Sequence, residues 1–147
     1  MQITIVSPFD PLPGTGSPSK HAHVGGVERV LGEVASNLAQ RGHEVTLICS
    51  TQAPATQSVR HNVRIHRVKR TMTLFRTPVV DLAKKIDPGT EIVQVPATYP
   101  FTTGPVLRTA SAMGVGTVLD FHFEPSPPGF VGKLAARAYR AVGPRSY

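Results

Sequence analysis

The strongest constraint on this chain is a strand–helix–strand block close to its start. Gln2-Ile3-Thr4-Ile5-Val6-Ser7 is short and rich in β-branched residues, and Pro8 stops it. That pattern predicts a buried strand. Past a long loop, Val27, Val30, Leu31, Val34, Ala35, Leu38 and Ala39 recur at helical spacing and form one apolar stripe. Arg29, Glu33, Asn37 and Gln40 fall off that stripe. Arg41 belongs to the last turn, and Gly42 is placed to supply a left-handed cap. Glu44-Val45-Thr46-Leu47-Ile48-Cys49 reads as a second strand. Two strands joined through a helix in one sheet run parallel, and such crossovers are right-handed.

The rest of the chain repeats the alternation. Val63 to Val68 alternates apolar and polar, as an edge strand does. Thr77-Pro78 offers a cap and a first-turn proline, which predicts a short helix to Ile86. Asp87-Pro88-Gly89 is a turn, and Glu91 to Val95 is a strand ended by Pro96. Thr103-Gly104-Pro105 opens a helix through Met113, and Gly114 ends it. Thr117 to Phe121 is a fifth strand, and Phe130 to Val142 a last helix. The fold class is therefore α/β, a doubly wound, mostly parallel sheet with helices on both faces.

Composition narrows the function classes. The 147 residues carry 16 Lys and Arg against 9 Asp and Glu, a formal charge of +7. That surplus suits an anionic partner: nucleic acid, an anionic membrane surface or a phosphorylated ligand. Glycine and proline, 13 and 14 residues, exceed ordinary usage and predict elaborate loops. Cys49 is the single cysteine, which excludes an internal disulfide and a cysteine-rich zinc site. Beside Leu47-Ile48 it reads as a small buried residue. No stretch reaches the ~18 unbroken apolar residues of a membrane span. Met1 runs straight into a strand pattern without the regions of a secretory leader, so the expectation is a reduced, cytoplasmic protein.

Ligands of open parallel sheets bind beyond the carboxyl ends of strands. Three stretches fall there: Pro8 to Gly26, the residues after Val95, and Phe121 to Gly129. Gly14-Thr15-Gly16 fits neither a phosphate loop, which needs Gly-Lys-Ser/Thr, nor a dinucleotide fingerprint. Gly25-Gly26 stands at a helix N-terminus, where free N–H groups and the dipole favour an anion. Without side chains these residues let a phosphate or sugar approach closely; equally, they serve to start the helix and pack it on the sheet. His122, in Phe121-His122-Phe123, is placed to act as a base or to hydrogen-bond a polar ligand, or simply to pack between aromatics. Asp120 and Glu124 flank it. Strand alternation puts Asp120 on the face of His122, where it could orient the ring. Tyr99 follows the fourth strand and lines the same cleft or its rim. His21-Ala22-His23 has the look of a metal pair, but no convergent carboxylate–histidine set accompanies it, and no metal is expected.

Two basic features have rival readings. Arg60, Arg64, Arg67, Lys69, Arg70 and Arg76 crowd one stretch with little aromatic interleaving, which argues against nucleic acid and for a solvated edge strand guarded by charge. Lys133, Arg137 and Arg140 line one side of the last helix, with Phe130, Val131, Leu134, Ala135, Ala138 and Val142 beside them. Such a helix either lies on an anionic bilayer or packs on the sheet with its charges outward.

Specific residues carry a family resemblance. The opening strand and proline-rich loop, then His23-Val24-Gly25-Gly26-Val27-Glu28-Arg29-Val30 and Leu38-Ala39-Gln40-Arg41-Gly42-His43-Glu44-Val45, resemble the start of a family 4, GT-B-type glycosyltransferase. Phe121-His122 and Lys133-Leu134-Ala135-Ala136-Arg137-Ala138-Tyr139-Arg140 fit further on. The resemblance implies a Rossmann-like, acceptor-side amino-terminal domain over residues 1–147, incomplete at its carboxyl end. It implies a donor-binding domain beyond it, in cis or as a partner. It also implies metal-independent, retaining transfer from a nucleoside-diphosphate-sugar to a lipid or glycan hydroxyl, with no other cofactor. His122 takes the place of the active-site histidine, and Gly25, Gly26, Glu28, Tyr99, Asp120 and Glu124 that of donor-phosphate or acceptor contacts. A peripheral position on the cytoplasmic membrane face suits Lys133, Arg137 and Arg140. No two glutamates stand eight apart as the family's donor-site pair does, which matches a missing donor domain. The alternative is a non-catalytic module that docks on an anionic membrane or a partner subunit.

Overall fold

The computed structural model describes residues 1–12, 26–74, 77–97 and 99–120. Its elements are β1 (Gln2–Ser7), α1 (Gly26–Gln40), β2 (Glu44–Thr51), β3 (Thr56–Arg60), β4 (Val63–Lys69), β5 (Met72–Leu74), β6 (Thr77–Val79), a 3-10 turn (Ala83–Lys85), β7 (Ile92–Pro96), α2 (Pro100–Ala112) and β8 (Gly116–Asp120). Six strands form one sheet in the order β3-β4-β2-β1-β7-β8, and β5 and β6 pair separately. All pairings in the large sheet are parallel except β3 with β4. This is the mostly parallel α/β sheet expected from the sequence.

The two faces of the sheet have separate cores. Ile3, Ile5, Val45, Leu47, Cys49, Val63 and Ile65 pack against Leu31, Ala35 and Ala39 of α1. Val6, Ile48, Val93 and Val95 pack on the other face against Leu82 and Ala83 around the 3-10 turn and Val106, Leu107 and Ala110 of α2. α1 and α2 each end in a Schellman cap. Gly42 (φ +84°) and Gly114 (φ +68°) take the left-handed conformation. His43 N–H then donates to Leu38 O, and Val115 N–H to Ala110 O.

Several elements depart from the sequence reading. The α1 stripe is rotated: Val30 is 41% exposed, while Glu28 and Gly32 are buried. Val63–Lys69 is not the edge, because β3 pairs antiparallel outside it. The turn between them holds His61 (φ 49°) and Asn62 (φ 62°), the two positive φ values of a tight hairpin turn. The helix expected from Thr77 is instead strand β6 followed by the 3-10 turn. Pro78 is tolerated there because both strands of a two-stranded sheet are edges. α2 begins at Pro100 rather than Thr103, with proline in its first turn, and Pro105 lies inside it. Thr102 N–H and Thr103 N–H both donate to Tyr99 O, at 2.9 and 2.8 Å, closing that first turn. Phe121 and the last helix lie outside the described residues.

Gly32 lets the chain after β1 lie directly on α1. A Cβ there would stand 2.9 Å from Pro11 O and 3.2 Å from Leu12 Cδ2. Alanine in a helix interior normally gains ~1 kcal/mol over glycine. Here the backbone oxygen must give way, and Gly32→Ala is expected to lose about 1–3 kcal/mol net. Gly26→Ala meets nothing within 4 Å and should change stability by less than about 0.5 kcal/mol. Urea unfolding of both variants checks this; a higher midpoint for Gly32→Ala would contradict the close approach.

Candidate functional site

The sheet order locates the site. From β1 the chain goes to β2 beside it and on to β3 at the edge, turns back to β4 between them, and later crosses to β7 on the other side of β1. The order reverses between β1 and β7, and ligands of such folds bind at the carboxyl ends flanking that reversal. Phe9 follows β1 there, and Tyr99 follows β7. Their rings meet edge to face, with centroids 5.7 Å apart and planes at 71°.

The tyrosine reaches a third element. Tyr99 OH donates to Glu28 Oε1 at 2.9 Å. Glu28 stands in the first turn of α1 and is 4% exposed. A carboxylate is costly to bury without a partner. Two features offset that cost: the charge-assisted bond from the phenol and the positive end of the α1 dipole. So Glu28 and Tyr99, singled out separately in the sequence, form one pair.

Asp120 ends β8 next to β7, half-buried. Its Oδ2 accepts from Gln94 Nε2 at 2.5 Å, and its carbonyl accepts from Ala97 N–H at 2.9 Å. Alternation puts Gln94 and Asp120 on the α1 face of the sheet, since Gln94 is in register with Ile5 and Pro96 with Asp120. Gly26 opens α1, and the open space around it leaves no close sheet packing that would require glycine. Gly25, His122, Glu124, Lys133, Arg137 and Arg140 lie outside the described residues, as does His21-Ala22-His23.

Sequence reasoning missed Phe9, Gln94 and the partnership of Asp10. Arg67, read there as part of a solvated basic stretch, turns inward. Its Nε stands 2.6 Å from Asp10 Oδ2, with the two side chains 14% and 20% exposed. Arg64 faces Glu44 at 3.8 Å. The one available signal was position, since Phe9-Asp10 follows the first strand at its ligand end. Cys49 is fully buried beside this pair, and desolvation first, then the Asp10 charge, push its thiol above the ordinary range. Among the described residues no group of three or more His, Cys, Asp or Glu converges to hold a metal, and no helix is long and apolar enough to cross a membrane.

The family described as Glycosyltransferase Family 4 matches residues 24–146. No curated protein matches the chain.

The Glu28–Tyr99 pair yields a stability test. Tyr99→Phe leaves a buried carboxylate without that donor and should cost about 1–3 kcal/mol. Glu28→Gln keeps an acceptor for the phenol and should cost less. In a double-mutant cycle by urea unfolding, the two changes should couple; strict additivity would mean that the charge on Glu28 adds nothing to that bond.

Proposed function

The chain belongs to glycosyltransferase family 4, and on that basis we propose that it is the acceptor-side domain of a retaining glycosyltransferase. The enzyme moves a sugar from a nucleoside-diphosphate-sugar to a hydroxyl of a lipid or glycan. A donor-binding domain, in cis or as a partner, completes the cleft. The observation that carries the acceptor-side reading is the meeting of Phe9, Tyr99 and Glu28 where the strand order reverses.

The chemistry divides between the residues. Gly26, and Gly25 before it, let a phosphate or sugar come against backbone N–H groups at the start of α1. Glu28 already supplies a negative charge to that helix end, so it suits an acceptor hydroxyl rather than a donor phosphate. Tyr99 fixes the carboxylate that would accept the hydrogen bond of that hydroxyl. Developing charge on the leaving diphosphate is met by fixed dipoles and basic side chains, with no covalent protein nucleophile. His122 orients the transferred sugar, and Asp120 and Glu124 flank it in the sequence. Lys133, Arg137 and Arg140 hold the enzyme on the anionic cytoplasmic face that carries a lipid acceptor.

The test uses the full-length protein with a panel of nucleoside-diphosphate-sugars and lipid or glycan acceptors. Transfer with retained anomeric configuration is the expected result. His122→Ala should lower kcat by about a hundredfold or more with the fold intact. Glu28→Gln should raise the acceptor KM by about tenfold and leave the donor KM in place. Gly26→Ala, which is sterically tolerated in the free protein, should lower activity without lowering Tm. Unchanged kinetics in all three variants would remove these residues from the site.

A further inference from the structure

A second cluster lies on the other side of Phe9. Arg67, late in β4, uses each of its three guanidinium nitrogens on a different partner. Nε donates to Asp10 Oδ2 at 2.6 Å, Nη1 to Ser58 Oγ at 2.7 Å, and Nη2 to Leu12 O at 2.9 Å. Asp10 Oδ1 accepts from Leu12 N–H at 2.9 Å, closing a local turn. Cys49 lies in register between Ser7 and Arg67, buried beside this pair. Upstream, Ser50 Oγ donates to Pro8 O. The segment leaving β1 is thus tied down from β2 by Ser50 and from β4 by Arg67, which Ser58 of β3 braces in turn.

These ties converge on the segment that feeds the site. Phe9 lies between the anchored Pro8 and the anchored Asp10. Its ring supports Tyr99, and Tyr99 holds Glu28. We propose that Arg67 is a positioning residue: by clamping Asp10 and Leu12 it sets where Phe9 supports Tyr99, and through Tyr99 it aims the Glu28 carboxylate at the acceptor. The acceptor part rests on the function proposed above. Arginine suits this role because its planar fork serves three acceptors in fixed directions, which a lysine ammonium on a flexible stem does not. A buried ion pair is weak evidence for stability, whereas fixing one geometry is its better-attested use.

The experiment compares Arg67→Gln, Arg67→Lys and Asp10→Asn in the full-length protein. Three readouts are taken: acceptor KM against kcat, the ring resonances of Tyr99, and native-state alkylation of Cys49 followed on its peptide. Arg67→Gln is expected to raise the acceptor KM by about tenfold with a smaller change in kcat, because small misplacements of contacting groups are costly. The Tyr99 resonances should shift as the Phe9 ring moves, and Cys49 should react faster. Arg67→Lys should recover part of the KM by restoring the Asp10 contact alone. Should Arg67→Gln fail to fold, Asp10→Asn, which keeps an acceptor for Leu12 N–H, should show the same pattern more weakly. A lowered Tm with unchanged KM and unchanged Tyr99 resonances overturns the proposal, as does equal behaviour of the lysine and glutamine variants. If the wild-type protein transfers no sugar, the proposed function falls; unshifted Tyr99 resonances and unchanged Cys49 reactivity would then overturn the clamp separately.

Discussion

Burial of β1 on both edges and both faces is the constraint on which the rest depends. Every residue from Ile3 to Ser7 is buried. Parallel partners on each side take up its backbone donors and acceptors, β2 along its whole length and β7 along its first half. Ile3 and Ile5 face one core, Val6 the other. A strand hidden in this way must be apolar or have its polar side chains paired: Ile3, Ile5 and Val6 meet the first condition, and Thr4 meets the second through Thr90 Oγ1 at 2.8 Å. Its central place makes its carboxyl end the point where the sheet reverses direction.

The site follows from that placement. Tyr99 and Glu28 are 71 residues apart in sequence. They meet because α1 and the segment after β7 both start at the carboxyl edge beside β1. The buried carboxylate also settles the electrostatics of the α1 N-terminus. A helix start without an acidic residue presents a bare positive end; this one has Glu28 tucked into its first turn. Any anion that approaches Gly26 shares that end with a fixed negative charge, which favours neutral, hydroxyl-bearing groups close to Glu28.

Legibility differed element by element, for physical reasons. α1 was readable because its long stripe and the Gly42 cap are both local signals. Even so, its burial centre shifted from Val30 to Glu28 and Gly32, since the chain after β1 lies over that flank at Pro11 and Leu12. β3 was missed because Thr56 to Arg60 is exposed and nearly devoid of apolar residues; only Asn62, which tolerates a positive φ, hinted at the hairpin. Thr77-Pro78 carries the local signature of a helix start, but pairing with Met72 to Leu74 outweighed it. Tyr99 and Glu28 were identifiable singly. Arg67 was not, because a lone arginine in a basic run carries no mark of the carboxylate it will meet.

The crossover unit, the two core faces of its strands, the left-handed cap at Gly42 and the family are all readable without coordinates. Each is written in short-range periodicity, or in a motif whose residues lie close together. Tertiary structure alone decided that Glu28 would be buried under Tyr99, that Asp120 would pair with Gln94, and that Arg67 would leave solvent for Asp10. Those contacts join residues far apart in the chain. Their energy depends on desolvation and on distances of a few ångströms, and no local pattern encodes either.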